Sequence, residues 1–201
     1  MKKKIILITV FSVLLAGALS AKTIGLNLEV GALYTNHQLH HFWKGTDSDG
    51  FRHHSNRYKH MGGFNIGLSY DLPKNWAIYG TTMFAFNLIF VNDTQFGIGY
   101  NFKPGKGFNL FLGGAFAVGG SKFTVTHSNV TKEIFKSTNI GGGLKLTASY
   151  MFTRQFGIYF GACANYYKPV SGYVLGVEQS SDRLPDMAQS LNAMAGLRVY
   201  F

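Results

Sequence analysis

The sequence predicts an all-β fold, an eight-stranded antiparallel up-and-down transmembrane β-barrel, and three observations carry that expectation. Segments of period-two alternation recur along the chain, they hold almost no charge, and the four prolines Pro73, Pro104, Pro169 and Pro185 fall between them. Successive side chains of a strand face opposite ways, so alternation of bulky apolar with small or polar residues offers one face to each of two media. A chain with 25 Gly, 18 Phe and 11 Tyr but only 14% charged residues lacks the ionic groups that normally solvate a globular exterior. Glycine and aromatic enrichment also suits tightly packed strands.

The first element is not part of the barrel. Lys2-Lys3-Lys4, the apolar run Ile5 to Leu19 and Ala18-Leu19-Ser20-Ala21 have the three-part pattern of a secretory signal peptide. Residues 1–21 are therefore expected to be removed, after Ser20 or Ala21, leaving residues 22–201 as one barrel domain. The apolar run is shorter than the roughly 20 residues a membrane-spanning helix needs. No cysteine follows it, which excludes a lipid anchor, and the lone Cys163 reads as a small buried hydrophobe without a disulfide partner.

The eight expected strands are Thr23–Tyr34, Met61–Asp71, Trp76–Asn87, Thr94–Phe102, Phe108–Gly119, Thr138–Phe152, Phe156–Tyr167 and Gln189–Phe201. Each is near the roughly 9–11 residues of a tilted transmembrane strand. In the first, Ile24, Leu26, Leu28 and Val30 oppose Gly25, Asn27 and Glu29. In the second, Phe64, Ile66, Leu68 and Tyr70 oppose Asn65, Gly67 and Ser69. The fourth sets Phe96, Ile98, Tyr100 and Phe102 against Gly97, Gly99 and Asn101, and the fifth carries Phe108, Leu110 and Leu112. The sixth sets Leu144, Leu146, Ala148 and Tyr150 against Gly141, Gly143, Lys145, Thr147 and Ser149; the seventh sets Phe156, Ile158 and Phe160 against Gly157, Tyr159 and Gly161. In the last, Leu191, Ala193, Ala195, Leu197, Val199 and Phe201 oppose Ser190, Asn192, Met194, Gly196, Arg198 and Tyr200.

A soluble barrel would turn a charged face outward. Within these segments only Glu29, Asp71, Lys145 and Arg198 are charged, so the bulky face is expected to meet lipid and the glycine-rich face to be enclosed. Closure is required, because no open sheet edge survives in hydrocarbon.

The closing run Gly196-Leu197-Arg198-Val199-Tyr200-Phe201 resembles the final strand of bacterial outer-membrane barrels, which implies an assembly signal carried by Gly196, Val199 and Phe201. Met194 departs from that pattern, which usually has a polar residue there. Over its mature length the chain resembles the small eight-stranded outer-membrane barrels of the OmpX, OmpW and OmpA transmembrane-domain type. The resemblance implies a bacterial outer-membrane location, contact with the lipid bilayer and lipopolysaccharide, delivery by the outer-membrane assembly machinery, and a monomer. Leu72–Asn75, Lys103–Gly107 and Thr153–Gln155 are then periplasmic turns, and the long connections Thr35–His60, Ser121–Ser137 and Lys168–Ala188 lie outside. Tyr70, Trp76, Phe102, Phe108, Phe152, Phe156 and Phe201 would form the periplasmic aromatic girdle, with Tyr34, Phe64, Phe86, Phe123 and Tyr166 as the outer one. The apolar run Leu88–Val91 is either a bulged extension of the third strand or a dip into the leaflet.

Eight strands enclose a space about wide enough for side chains to fill. Tyr79, Met83, Phe111, Tyr159, Tyr167 and Tyr200 are expected inside. Glu29, Lys145 and Arg198 point the same way, and an isolated charge there is expensive, so Glu29 is expected to pair with Arg198, Lys145 or both. Such a network serves as a plug or as a gate for ions. Six histidines crowd the first long connection with Lys44, Arg52, Arg57 and Lys59. His37, His40, His41, His53 and His54 are candidate ligands for a transition metal or haem, against the plainer reading of solvated loop histidines, and no resident cofactor is expected. The basic loop also suits anionic lipopolysaccharide or a host glycan. Nucleic acid is not an expected partner.

Three functions remain open. The first is a scaffold whose outer loops serve surface interaction or envelope integrity. The second is an OmpW-like conduit for small hydrophobic molecules, with Phe111 and Met83 near its path. The third is a lipid A-modifying rim enzyme, suggested by His127-Ser128 with Glu133 nearby. Adjacent strand residues face opposite ways, whereas such a pair needs one face, so no enzyme is expected.

Overall fold

The computed structural model describes residues 25–38, 58–87, 89–127, 130–174, 176–178, 184 and 187–201. Its strands are β1 (Leu26–Gln38), β2 (Tyr58–Asp71), β3 (Trp76–Phe86), β4 (Ile89–Gly105), β5 (Phe108–His127), β6 (Val130–Met151), β7 (Phe156–Val174), β8 (Val177–Glu178) and β9 (Ala188–Tyr200). β1 to β7 pair antiparallel in sequence order, β9 pairs with β7, and β9 closes on β1, so eight strands make a sealed wall. The two-residue β8 only turns back along the end of β7.

Alternation sets which residues line the lumen. On β3, Ala77, Tyr79, Thr81, Met83 and Ala85 are buried while Trp76, Ile78 and Phe86 stand outside. The outside is the apolar side: Phe96, Leu144 and Phe160 are 60%, 61% and 62% exposed, and their outward neighbours are Ile98, Phe116, Leu146, Ile158 and Leu197. Outward charges among the described residues sit at the strand ends, as Lys122, Lys136 and Lys168 do. An apolar belt with charge only at its margins is a surface for hydrocarbon, and a closed antiparallel barrel is the β architecture that satisfies its backbone there. The protein is a membrane-spanning β-barrel.

The short turns are built by residues suited to them. Pro73 starts a tight turn in which Lys74 and Asn75 have φ of 59° and 64°, and Leu72 N–H donates to Trp76 O at 2.7 Å. Gly107 takes φ 78° in the next turn, which a Cβ would strain. In the third, Phe156 N–H donates to Thr153 Oγ1 at 2.9 Å.

Several expected boundaries are corrected. β4 begins at Ile89, not Thr94: Val91 is buried in the lumen and Phe90 faces outward, so Ile89–Val91 extends a strand that follows β3 and does not enter the leaflet. Leu88 lies outside the described residues. Ser121–Ser137 is no loop, since β5 and β6 stay paired to His127 and Val130. β7 likewise continues to Val174, and β1 and β2 are paired through Gln38 and Tyr58. Pro169 falls within β7, and Pro104 within the tail of β4. Both stand at register shifts, where a residue without an N–H costs the ladder least. Longer strands also carry more charge than the four residues expected, Asp93 foremost. The segment 1–21, Thr23, Ile24 and Pro185 lie outside the described residues.

Candidate functional site

The lumen is organised in layers along the barrel axis. At the short-turn end Arg198 (β9) donates through Nε and Nη2 to Asn27 Oδ1 at 3.1 and 2.9 Å, and through Nη1 to Ser149 Oγ at 3.1 Å. Asn27 and Asn101 donate to Asp71 Oδ1 at 3.4 and 3.3 Å. Asn27, Asp71, Ser149 and Arg198 floor a basin of about 670 Å³ that Lys103, Arg154 and Tyr200 also line. Tyr200 is half-buried at this margin, so it edges the basin instead of filling the lumen.

The ionic layer comes next. Lys145 (β6) reaches across to Glu29 (β1), Nζ to Oε2 at 2.7 Å, and donates to Thr81 Oγ1 on β3 at 2.8 Å. Arg198 Nη1 lies 3.5 Å from Glu29 Oε1. Glu29, Lys145 and Arg198 are 5%, 3% and 6% exposed, so these charges exchange their hydration for one another. Lys145 Nζ also sits 5.4 Å from the Tyr79 ring centroid, and Tyr79 meets Phe111 edge-on at 5.2 Å. Room for those rings is made by Gly99 and Gly113: a Cβ on Gly99 would collide with the Phe111 ring, and one on Gly113 would sit 2.7 Å from Tyr79 Cε1.

Leu33, Met83, Cys163 and Met194 form an apolar layer, with Tyr159 crossing it to donate to Asn65 Oδ1 at 2.9 Å. A second polar layer lies beyond. Asp93 (β4) accepts through Oδ2 from Ser190 Oγ at 2.7 Å, Asn192 at 3.4 Å and Asn165 at 3.5 Å, three residues of β9 and β7. Gln95 donates to Asn165 Oδ1. Asp93 is the residue that sequence reading missed. Val91, Asp93 and Gln95 continue the inward period of β4, and that alternation was the available signal.

Of the histidines, His37 lies on β1 opposite Ser190 and is fully buried, facing the lumen, with Asp93 as its nearby acidic group. His60 is on the outside of the wall, where its Nδ1 is 2.7 Å from Tyr34 Oη. The wall thus separates the two, and among the described residues no three His, Cys, Asp or Glu side chains gather. His40, His41, His53, His54 and Ser128 lie outside the described residues, and His127 ends β5.

Exterior aromatics collect at the short-turn end. Tyr70, Trp76, Phe102, Phe108 and Phe152 are 41–57% exposed and Phe156 is half-buried; Trp76 packs edge-on against Tyr100 at 5.5 Å, and Tyr100 against Phe102 at 4.8 Å. At the seam Gly196 faces Gly31, so closely that a Cβ would strike Val30 O. Val199 pairs with Leu28 and Phe156, and Phe201 N–H donates to Leu26 O at 2.8 Å.

The fold and this interior define a small outer-membrane barrel of the eight-stranded class. Among solved structures it is similar to Neisserial surface protein A, at 16% identity and a TM-score of 0.58, covering 90% of this chain and 100% of that one. It is also similar to the attachment invasion locus protein Ail of Yersinia pestis, at 15% identity and TM-score 0.51, covering 88% and 99%. OprG of Pseudomonas aeruginosa matches at 11% identity and TM-score 0.52, covering 90% and 98%. The chain matches no sequence-family model, and no curated protein matches it in sequence.

Proposed function

We propose that the protein is a monomeric, non-enzymatic scaffold whose lumen is closed to solutes and whose long-loop end is presented outside the cell for binding anionic partners. The observation that carries the closed lumen is the crossing of Lys145 from β6 to Glu29 on β1, with Tyr159, Met83 and Phe111 buried around it. A conduit for hydrophobic solutes would need an apolar path, whereas the basin at the short-turn end is floored by Asn27, Asp71 and Arg198.

The binding role is supported by the paired ends of β5 and β6, where Lys122 and Lys136 stand directly opposite on the outer face, and Lys136 lies 5.9 Å from the Tyr173 ring centroid. Two lysines side by side on the outer face give that strand end a local positive potential that attracts an anionic ligand. A structure of Ail carries the heparin analogue sucrose octasulfate, so one barrel of this fold binds a polyanion. Short turns then face the periplasm. The test is binding of heparin-coated beads to cells displaying the protein: the K122E/K136E variant should lose most of the binding at equal surface display. Equal binding by that variant would overturn the anionic-partner reading.

A further inference from the structure

Asn92 interrupts the apolar exterior. On β4 it alternates with Val91 and Asp93, both buried in the lumen, so its side chain faces outward between the exposed rings of Phe90 and Phe96. Phe90 packs against Phe86 at 5.4 Å, and both stand nearer the long-loop end than Asn92 does. The amide therefore lies on the hydrocarbon side of these aromatics. It has no hydrogen bond to any described residue. An unpaired amide facing lipid is expensive, because no water is there to satisfy it.

The wall on either side of Asn92 is graded. Toward the short-turn end, Thr94 Oγ1 donates to Thr82 Oγ1 at 3.3 Å, a second polar spot on the outer face. Next to it opens a groove of about 610 Å³ that Thr82 lines together with Phe84, the rung partner of Asn92. Gly80 floors this groove between its rung partners Leu68 and Phe96, and a Cβ there would lie 3.3 Å from the Phe96 ring. Toward the long-loop end, the rung partner of Asn92 is Gly120, which leaves the wall beside the amide bare. Two residues further along β5, exposed Lys122 stands opposite Lys136.

We propose that this strip of β3, β4 and β5 holds one outer-leaflet lipid with an anionic head and amide-linked or hydroxylated acyl chains. Its head lies at Lys122 and Lys136, its linkage at Asn92, and one chain in the groove over Gly80. An asparagine amide both donates and accepts, so an amide linkage or a hydroxyl satisfies it, whereas the ester of a glycerophospholipid only accepts. Lipid is the occupant because the groove is continuous with the apolar face that hydrocarbon covers, and because the paired lysines complement an anionic head. The head contact rests on the anionic-partner role proposed for Lys122 and Lys136; the linkage contact stands on Asn92.

The test uses the mature chain folded in detergent micelles and offered equal amounts of two anionic lipids. Lipid A carries amide-linked, hydroxylated chains; dipalmitoyl phosphatidylglycerol has ester-linked chains without hydroxyls. Native mass spectrometry should show a single lipid A retained per chain in preference to phosphatidylglycerol. N92L should weaken lipid A retention about tenfold, the loss of the bonds made by one side chain. Folding and heparin-bead binding should stay as in the wild type, since N92L only replaces an unpaired amide by an apolar group. G80L, which fills the groove, should also lower lipid A retention. Equal retention of the two lipids by the wild type, or an undiminished preference in N92L, overturns the proposal. So does a dimer that N92L disperses, because a second copy would then cover this face. Heparin binding that survives K122E/K136E counts against the anionic-partner reading alone, and a loss of lipid A preference in N92L would still uphold the linkage contact.

Discussion

Lys145 illustrates how one lumen residue joins three strands. Replacing it by Met removes the nearer of the two cations paired with a buried carboxylate and leaves Thr81 without its donor, which should cost roughly 3 kcal/mol in urea unfolding. The double variant E29Q/K145M removes the unbalanced carboxylate but leaves buried Arg198 without its anion, so it should recover only part of that loss; a double variant as unstable as the single one would show that Glu29 and Lys145 do not act as a unit. Gly99 makes a second prediction. G99V drives a branched side chain into the Phe111 ring and should destabilise by about 1–3 kcal/mol, and F111L should relieve part of the cost. Inward orientation of Glu29, Lys145 and Arg198 was legible from alternation alone. Which partner Glu29 takes was not, because side-chain reach across a barrel depends on stagger and tilt, which period two does not encode.

At the level of elements, β5 and β6 are the longest strands, with 20 and 22 residues. Their middle portions were readable because one face is bulky and the other small. The extension from Ser121 to Ser137 reads as a loop in the sequence because Lys122, Lys132, Glu133 and Lys136 interrupt the apolar stripe that lipid demands. Beyond the bilayer no such stripe is required. The signal left was β-branched character, in Thr124-Val125-Thr126 and Val130-Thr131 around Ser128-Asn129. Reversing one charge, K136E, turns the opposed Lys122 and Lys136 into an attractive pair. It should raise thermal stability slightly while lowering heparin binding, and a variant that lost both would place the lysine in the fold instead of the contact.

For the whole molecule, fold class, strand number and the apolar exterior were all present in the pattern, since each follows from local periodicity and from a scarcity of charge. The Asp93 layer was hidden for a nonlocal reason: Asp93 and Ser190 are 97 residues apart, and the expected strand began one residue too late to include the carboxylate. A closed interior makes a global prediction. Planar bilayers containing the protein should show no large steady conductance, and a persistent open level would refute the sealed lumen.

The seam between β1 and β9 also sets a schedule. Asn27 and Arg198 stand 171 positions apart, and Arg198 reaches Asn27, Ser149 and Glu29 only once the last strand is in place. Until then, the first strand has a raw margin and its carboxylate has lost one of its two cations. A polypeptide ending before β9 therefore has no way to wait inside hydrocarbon, and insertion must be concerted with circularisation, completed at the moment the ends of the wall meet.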